Sequence, residues 1–299
     1  MRVLHVDTGR EMRGGQRQVL LLMEGLAARG TEQVLLARKD SPLFQAAQAQ
    51  GFVTHPASLN VVRQMSRQAD VVHAHDARAH TLAAVSSHCP VVVSRRVAFP
   101  VSQSWFSRWK YRRAALYLAV SRTVARQLEA AGIKADKICI VPDGVPCRDF
   151  QYRWSVGAPV VTLATEDPAK GSDVMSEVAR RADVTIHFST DLEQDLRDAL
   201  AFVYISRSEG LGSAALLAMS MGVPVIASRI EGLAELFEHE ISGVYVNNEP
   251  GEIAAAIQRI GKDPALAMQL GLAGRVRACE RFSVDAMAQR TVEAYRSLR

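Results

Sequence analysis

The chain has 299 residues, too many for one ordinary open-sheet domain and comfortable for two of about 150 residues each. Hydrophobic residues make up 48% and charged residues 22%, a balance that supports a packed core and excludes a disordered protein. The net charge of +5 conceals an asymmetry: residues 1–150 carry 21 Lys and Arg against 11 Asp and Glu, whereas residues 151–299 carry 15 against 20.

Apolar runs predict a buried strand over 2–6. The spacing of Val19, Leu22, Met23 and Leu26 predicts a helix over 18–29, stopped by Gly30. A strand over 33–37 and a helix over 41–50, closed by Gly51, come next. Strands over 71–75 and 91–94 flank a helix at 78–87. A helix over 105–115, a strand over 116–120, a helix over 122–131 and a strand over 138–141 complete the first half. Pro142-Asp143-Gly144-Val145-Pro146 breaks the rhythm, and the domain boundary is placed between there and Pro159. The second half reads as a strand over 160–164, a helix over 172–181, a strand over 184–188, a helix over 192–199 and a strand over 202–206. A helix over 213–221, a strand over 223–227, a short helix over 233–237 and a strand over 244–246 follow. Helices over 250–260, 264–281 and 284–298 end the chain. This alternation predicts an α/β protein with parallel sheets covered on both faces.

No apolar run approaches the roughly 18 residues of a membrane helix. Residues 1–7 enter a strand pattern directly, so no secretory leader is expected. Cys89, Cys139, Cys147 and Cys279 lack a C-x-x-C pair, which predicts free thiols in a reducing cytoplasm rather than disulfides or a structural zinc. A basic first half suits an anionic acceptor or membrane surface, and no nucleic-acid motif accompanies it.

Ligands of open parallel sheets bind beyond the carboxyl ends of the strands. Two segments fit. Gly14-Gly15, after the first strand, lets backbone approach a ligand and opens amides at a helix start. Ser208-Glu209-Gly210-Leu211-Gly212 places a carboxylate at a strand end, then a glycine-rich turn, then a helix from Ser213 whose free amides suit a phosphate. His73 and His75 stand two apart on a strand, which is metal-ligand spacing, but no later cluster of ligands completes a set, so no metal is expected.

The segment 208–212, with Ala218-Met219 and Gly222-Val223-Pro224-Val225-Ile226-Ala227-Ser228, resembles the donor-site signature of family 4 glycosyltransferases. Gly14-Gly15, His73-Ala74-His75, Ala119-Val120-Ser121, Pro142-Asp143-Gly144, Lys170-Gly171, Glu231-Gly232 and Ser242-Gly243 match in order. The resemblance implies a GT-B fold: two facing Rossmann-like domains, an acceptor-side domain over 1–148 and a shortened donor-binding domain over 149–282. A last helix, 283–299, returns to the first domain. It implies retaining transfer from a nucleotide-sugar donor to a glycan or lipid-linked acceptor of lipopolysaccharide type, without metal or other cofactor.

Carried over by motif, Lys170 holds the donor diphosphate and Glu209 contacts the sugar. Gly14, Gly15, Gly210, Leu211, Gly212 and Ser213 line the donor. Arg96 joins Lys170 and Glu209 as a catalytic group, and His75, Arg95 and Arg96 face the acceptor. The chain departs from the pattern at Leu217, where a glutamate usually grips the ribose, at Thr165, where an arginine is usual, and at Ser94-Arg95-Arg96, where a histidine is frequent. These departures leave open a non-catalytic relative that binds a glycan or a protein. The stretch Trp105, Phe106, Trp109, Lys110, Arg112 and Arg113 combines aromatic and basic residues on one helix. It reads either as an ordinary domain helix or as a contact with an anionic membrane, and the second is expected here. The location is therefore cytoplasmic, peripheral to the membrane.

Overall fold

The computed structural model describes residues 1–102, 104–150, 152–165 and 174–298. The chain divides into two compact units, Met1–Gly144 with Val284–Arg299, and Val145–Ser283.

Unit 1 alternates β1 (Arg2–Asp7), α1 (Gly14–Ala27), β2 (Glu32–Ala37), α2 (Pro42–Ala49), β3 (Val53–Pro56), α3 (Leu59–Met65), β4 (Val71–Ala74), α4 (Ala77–Ser86), β5 (Val91–Arg95), α5 (Trp105–Arg113), β6 (Leu116–Ala119), α6 (Arg122–Ala130) and β7 (Ile138–Ile140). The strands form one parallel sheet in the order β3-β2-β1-β4-β5-β6-β7. Every residue of β4 and β6 is buried, as expected for central strands covered on both faces. The final helix, α12 (Val284–Arg296), packs into this unit. Its Met287, Ala288 and Tyr295 share a core with Val3, Leu22, Leu26, Val92 and Leu118. A Cβ on Gly25 would lie 2.8 Å from the Ala288 Cβ, so glycine lets α1 and α12 approach closely.

Unit 2 contains β8 (Val160–Leu163), α7 (Met175–Ala182), β9 (Ile186–Ser189), α8 (Leu192–Asp195), β10 (Ala201–Tyr204), α9 (Ser213–Ser220), β11 (Val225–Ser228), β12 (Val244–Val246), α10 (Pro250–Lys262) and α11 (Pro264–Arg281). Its parallel sheet has five strands, ordered β12-β11-β10-β8-β9, against seven in unit 1. Val160, Met175, Val203, Ile226, Val244, Ile257 and Leu270 fill its core. Helix α9 is apolar on every side because it is sandwiched between α11 and strands β10 and β11.

Several expectations are corrected. Gly14 and Gly15 are not in a loop ahead of the first helix; α1 begins at Gly14, four residues earlier than the apolar spacing indicated. Polar first turns carry no periodic signal. The edge strand β3 and the short helix α3 were missed, because Val53–Pro56 is largely exposed and shows no buried face. Residues 233–237 form turns rather than a helix. Cys147 and Cys279 are paired in a disulfide, with Cα atoms 5.7 Å apart across 132 residues of sequence. Spacing could not reveal it, because the fold brings the start of unit 2 back beside the end of α11. This juxtaposition also appears in the pairing of Val145 with Ser283 and the bond from the Val145 amide to the Phe282 carbonyl, 2.8 Å.

Candidate active site

Strand order reverses once in each sheet, at β1/β4 in unit 1 and β8/β10 in unit 2, and the loops beyond those strands form the natural ligand sites.

In unit 2, the chain leaves β10 through Ser206–Gly212 and enters α9. Gly212 holds φ +94°, a left-handed conformation that favours glycine, and a Cβ there would stand 2.6 Å from Leu233 Cδ2. No side chain caps α9, its first turn holds no acidic residue, and its first internal bond is the Leu216 amide to the Gly212 carbonyl. The amides of Ser213, Ala214 and Ala215 therefore have no acceptor within the helix. Ser213 and Ala214 are half-buried. The start of the helix thus offers positive partial charge to an anion.

Glu209 stands beside this turn, half-buried. The buried hydroxyl of Tyr204 donates to its Oε1 at 2.7 Å. Burial, and then the adjacent carboxylate, hold the Tyr204 phenol well above its ordinary pKa, so it remains a donor. The turn is fastened from behind. The Ser206 amide donates to Ser228 Oγ at 2.8 Å, Ser228 Oγ donates to Asn248 Oδ1 at 2.6 Å, and Asn248 Nδ2 donates to the Ser206 carbonyl at 3.2 Å. Ser228 closes the signature begun at Gly222, but sequence reasoning missed Tyr204 and Asn248. The available signal was their common place, at or just past the carboxyl ends of β10 and β12. Leu217 lies one turn after Ser213 on the same face of α9 and supplies no carboxylate there. The Leu211 side chain is buried, so any part it takes at the turn falls to its backbone. Lys170 and Gly171 lie outside the described residues, and Thr165 precedes them just past β8.

In unit 1, the switch point carries a buried polar network. Asp7, at the end of β1, accepts from the Gly9 amide at 2.8 Å and from Gln16 Nε2 at 3.1 Å. Burial, and then the nearby Asp76, raise the Asp7 carboxyl. Asp76 caps α4, accepting from the amides of Arg78 and Ala79 and from the amide and hydroxyl of Thr8. No side chain caps α1 either, and a Cβ on Gly15 would meet nothing within 4 Å, so its backbone is open to close approach.

His73 and His75 are joined by His5, opposite His73 in the β1–β4 register. The three lie close enough to offer nitrogen atoms within 4.8 Å of one another. The third histidine lies upstream of the pair, on β1, rather than in a later cluster. Their nitrogens are engaged in a hydrogen-bond network. His5 Nδ1 pairs with His75 Nε2 at 2.9 Å and His5 Nε2 with Gln33 at 3.0 Å, while His73 bonds Tyr295 at 2.6 Å and Ser94 at 2.8 Å. Burial drives all three below the ordinary histidine range, His5 to about 4, so they are neutral. A satisfied neutral network accounts for His5 and His73. His75 Nδ1 alone is buried without a protein partner.

Arg96 is not a solvated cation. It pairs with the buried Asp143 at 2.8 Å, and its Nη1 is buried without a partner. Arg95 donates to the Tyr111 hydroxyl at 2.8 Å and to the Phe99 carbonyl.

Helix α5 has no buried residue, which removes the reading of its aromatics as core. Trp105 is 79% exposed, Phe106 42% and Trp109 37%; Phe106 stacks on Trp109 and meets Trp105 edge to face. Arg112 is exposed. Lys110 and Arg113, expected on the outward face, turn back to α4, where they donate to the carbonyls of Ala77 and Ala84 at 3.4 Å each. None of the described helices is long and apolar enough to cross a membrane.

Two doubly wound parallel-sheet units, with an uncapped helix start at the switch point of each, define the GT-B class of α/β architecture. Comparison with solved structures bears this out. The Anabaena protein Alr3699/HepE, solved in complex with UDP and glucose, superposes with a TM-score of 0.85 over 99% of this chain and 100% of its own, at 17% identity. The model for Glycosyltransferase Family 4 matches residues 12–149, and that for Glycosyl transferases group 1 matches residues 155–263. The chain belongs to the family 4 glycosyltransferases. Among curated relatives, human alpha-1,3/1,6-mannosyltransferase ALG2 is 33% identical over 94 residues, 31% of this chain and 23% of that protein. MMP alpha-(1->4)-mannosyltransferase from Mycolicibacterium hassiacum is 27% identical over 261 residues, 70% of this chain and 63% of that one. The matches thus span less than two thirds of these relatives.

Proposed function

We propose that this chain transfers a sugar from a nucleotide-sugar donor to a glycan or lipid-linked acceptor, with retention and without a metal. The observation that carries the reading is the uncapped start of α9 beside a carboxylate held by Tyr204. Breaking a sugar–diphosphate bond develops negative charge on the leaving group, and helix amides placed in advance stabilise such charge. In this reading the backbone of Gly210, Leu211, Gly212 and Ser213 holds the diphosphate, with Lys170 as the cation, and Glu209 orients the sugar. Gly14 and Gly15 open α1 and offer a second set of uncapped amides in unit 1. Arg96 contributes its field, moderated by Asp143, and His75, whose buried Nδ1 has no protein partner, stands on the acceptor side in unit 1. The relative solved with UDP and glucose, and the two mannosyltransferases, support a nucleotide-sugar donor. The exposed aromatic side of α5 supports a peripheral station on an anionic membrane.

Calorimetry with UDP-, GDP-, ADP- and CMP-sugars tests the reading. Binding of one donor in the micromolar to millimolar range, followed by its turnover, is expected. Binding of none would instead favour a non-catalytic relative, the reading that Leu217 motivates.

A further inference from the structure

A cavity of about 500 Å³ lies in unit 1 past the carboxyl ends of β1, β2 and β3, lined by Thr8, Arg38, Lys39, Pro56, Ala57, Arg78, Thr81 and Leu82. Its size is that of a small-molecule site. Pro56, Ala57 and Leu82 give an apolar wall, and Thr8 and Thr81 add hydroxyls. The three charged residues are all cations, and no carboxylate lines the cavity.

Among the described residues, the side chains of Arg38, Lys39 and Arg78 make no ion pair. Two acids lie near in sequence: Asp40, next to Lys39, is exposed and does not line the cavity, and Asp76 has its oxygens turned to the amides of Thr8, Arg78 and Ala79 and to the Thr8 hydroxyl. Asp76 thereby fixes the Thr8 loop against the start of α4, which sets two walls of the cavity. A fourth cation, Lys110, reaches Thr81 Oγ1 at 3.4 Å from α5. Burial, and then the charge of Arg95, lower its pKa. Arg38, Lys39 and Arg78 are exposed, so their mutual repulsion is screened, but together they set a positive field beside the apolar wall that favours an anion. Guanidinium groups match phosphate in particular through paired, parallel hydrogen bonds.

We infer that this cavity is an anion subsite that receives a phosphate group of the acceptor, with Arg38 and Arg78 as its principal ligands and Lys39 in support. The inference rests on the assignment of unit 1 to the acceptor, and it narrows the acceptor class to phosphorylated compounds. The phosphate has two chemical sources, a soluble sugar or polyol phosphate and a phospholipid headgroup. Pro56, Ala57 and Leu82 fit the carbon skeleton that either would carry.

The test uses the full chain and its Arg38→Gln/Arg78→Gln variant. In one arm, calorimetry measures glycerol 3-phosphate, with glycerol as the neutral control. In the other, flotation measures binding to phosphatidylcholine vesicles with and without phosphatidic acid. Loss of two charge-assisted contacts should weaken phosphate binding by about tenfold or more in the arm that matches the source. An effect in the first arm alone identifies a soluble phosphate, and one in the second alone a headgroup; either supports the subsite. Equal binding by both proteins in both arms, or no phosphate-dependent binding at all, overturns it. Circular dichroism melting of the variant, expected unchanged, separates loss of ligand from loss of fold, and the single Lys39→Gln variant, expected to weaken binding less, provides a milder check. Calorimetry with UDP-, GDP-, ADP- and CMP-sugars on the same samples keeps this result apart from the transferase reading: binding of a donor with no phosphate response sinks the subsite alone, whereas a phosphate response with no donor bound leaves the subsite and removes the transferase.

Discussion

The hydroxyl of Tyr204, buried at the end of β10, donates at 2.7 Å to Glu209 Oε1, five residues further along and beside the open start of α9. A phenol held in its neutral form is a fixed donor, and it limits the rotamers available to the carboxylate. In the proposed reading Glu209 faces the reacting sugar, so Glu209→Gln should lower kcat by roughly 10²-fold or more. Tyr204→Phe should lower kcat by a smaller factor, on the order of tenfold, with donor affinity nearly unchanged. Steady-state kinetics on both variants decide this. An unchanged kcat in Glu209→Gln would remove Glu209 from the chemistry.

Two glycines hold the backbone of the same turn. A Cβ on Gly232 would lie 1.8 Å from the Glu209 carbonyl oxygen, and one on Gly212 would meet Leu233 and Tyr204 while φ stays at +94°. Gly232→Ala and Gly212→Ala should each cost about 1–3 kcal/mol of stability and also weaken nucleotide binding, since both displace the helix amides. Urea titration together with calorimetry is the measurement. Full binding in a Gly212→Ala protein would show that the turn does not touch the ligand.

The architecture was legible because it rests on period and punctuation. Runs such as Val71–Ala74 and Leu116–Ala119 could only be buried parallel strands, and Gly30, Gly51 and Gly132, all at positive φ, stopped helices where expected. The glycine-rich turn at 208–212 into the helix from Ser213 was legible because glycine, carboxylate and helix start are contiguous. What escaped depends on contacts distant in sequence. His5 meets His75 across 70 residues, and Tyr295 meets His73 across 222. Asn248 closes a loop begun at Ser206. The pairing of Cys147 with Cys279 is of the same kind. Edge strand β3 escaped for a different reason: an exposed edge needs no apolar alternation.

That disulfide closes a loop of 132 residues around unit 2. Chain-entropy reasoning assigns a bridge of this span roughly 4–5 kcal/mol of stability, gained by restricting the unfolded chain. Reduction, or Cys279→Ser, should lower the urea midpoint by a corresponding amount. Thiol titration of the native and denatured protein checks the premise: four reactive thiols after denaturation without reductant would show that the bridge does not form.

The buried histidines make stability depend on pH. The folded-state pKa of His5 is about 4 and that of His80 about 3, both lowered chiefly by burial, whereas in the unfolded chain each titrates near 6.5. The unfolded state therefore binds protons first as pH falls. Stability is full above about pH 6.5 and declines as the pH drops from there towards 4. His73 and His75 act in the same direction. The raised carboxyls of Asp7 and Asp143 act oppositely. Urea midpoints between pH 7.5 and 5 should fall steadily, and a His80→Phe variant should flatten part of the slope. A profile level over that range would mean that the network is protonated or solvated in the folded protein.

Helix α5 offers the plainest test of where the protein works. Trp105 is 79% exposed, and Phe106 and Trp109 stack beside it, so the helix presents a cluster of aromatic surface that no described core covers. Such rings partition into the headgroup region of a bilayer, while Arg112 and the basic first half of the chain favour anionic lipid. Because Lys110 and Arg113 lean onto α4, the attraction rests on the rings more than on the charge of this helix. Trp105→Ala/Trp109→Ala should therefore reduce flotation with phosphatidylglycerol vesicles by about tenfold or more, with little change in melting temperature, since neither ring is buried. Neutralising Arg112 should have a smaller effect that high salt erases. Wild-type protein that stays in solution beside such vesicles at low salt would exclude the membrane and leave the aromatic face to another partner.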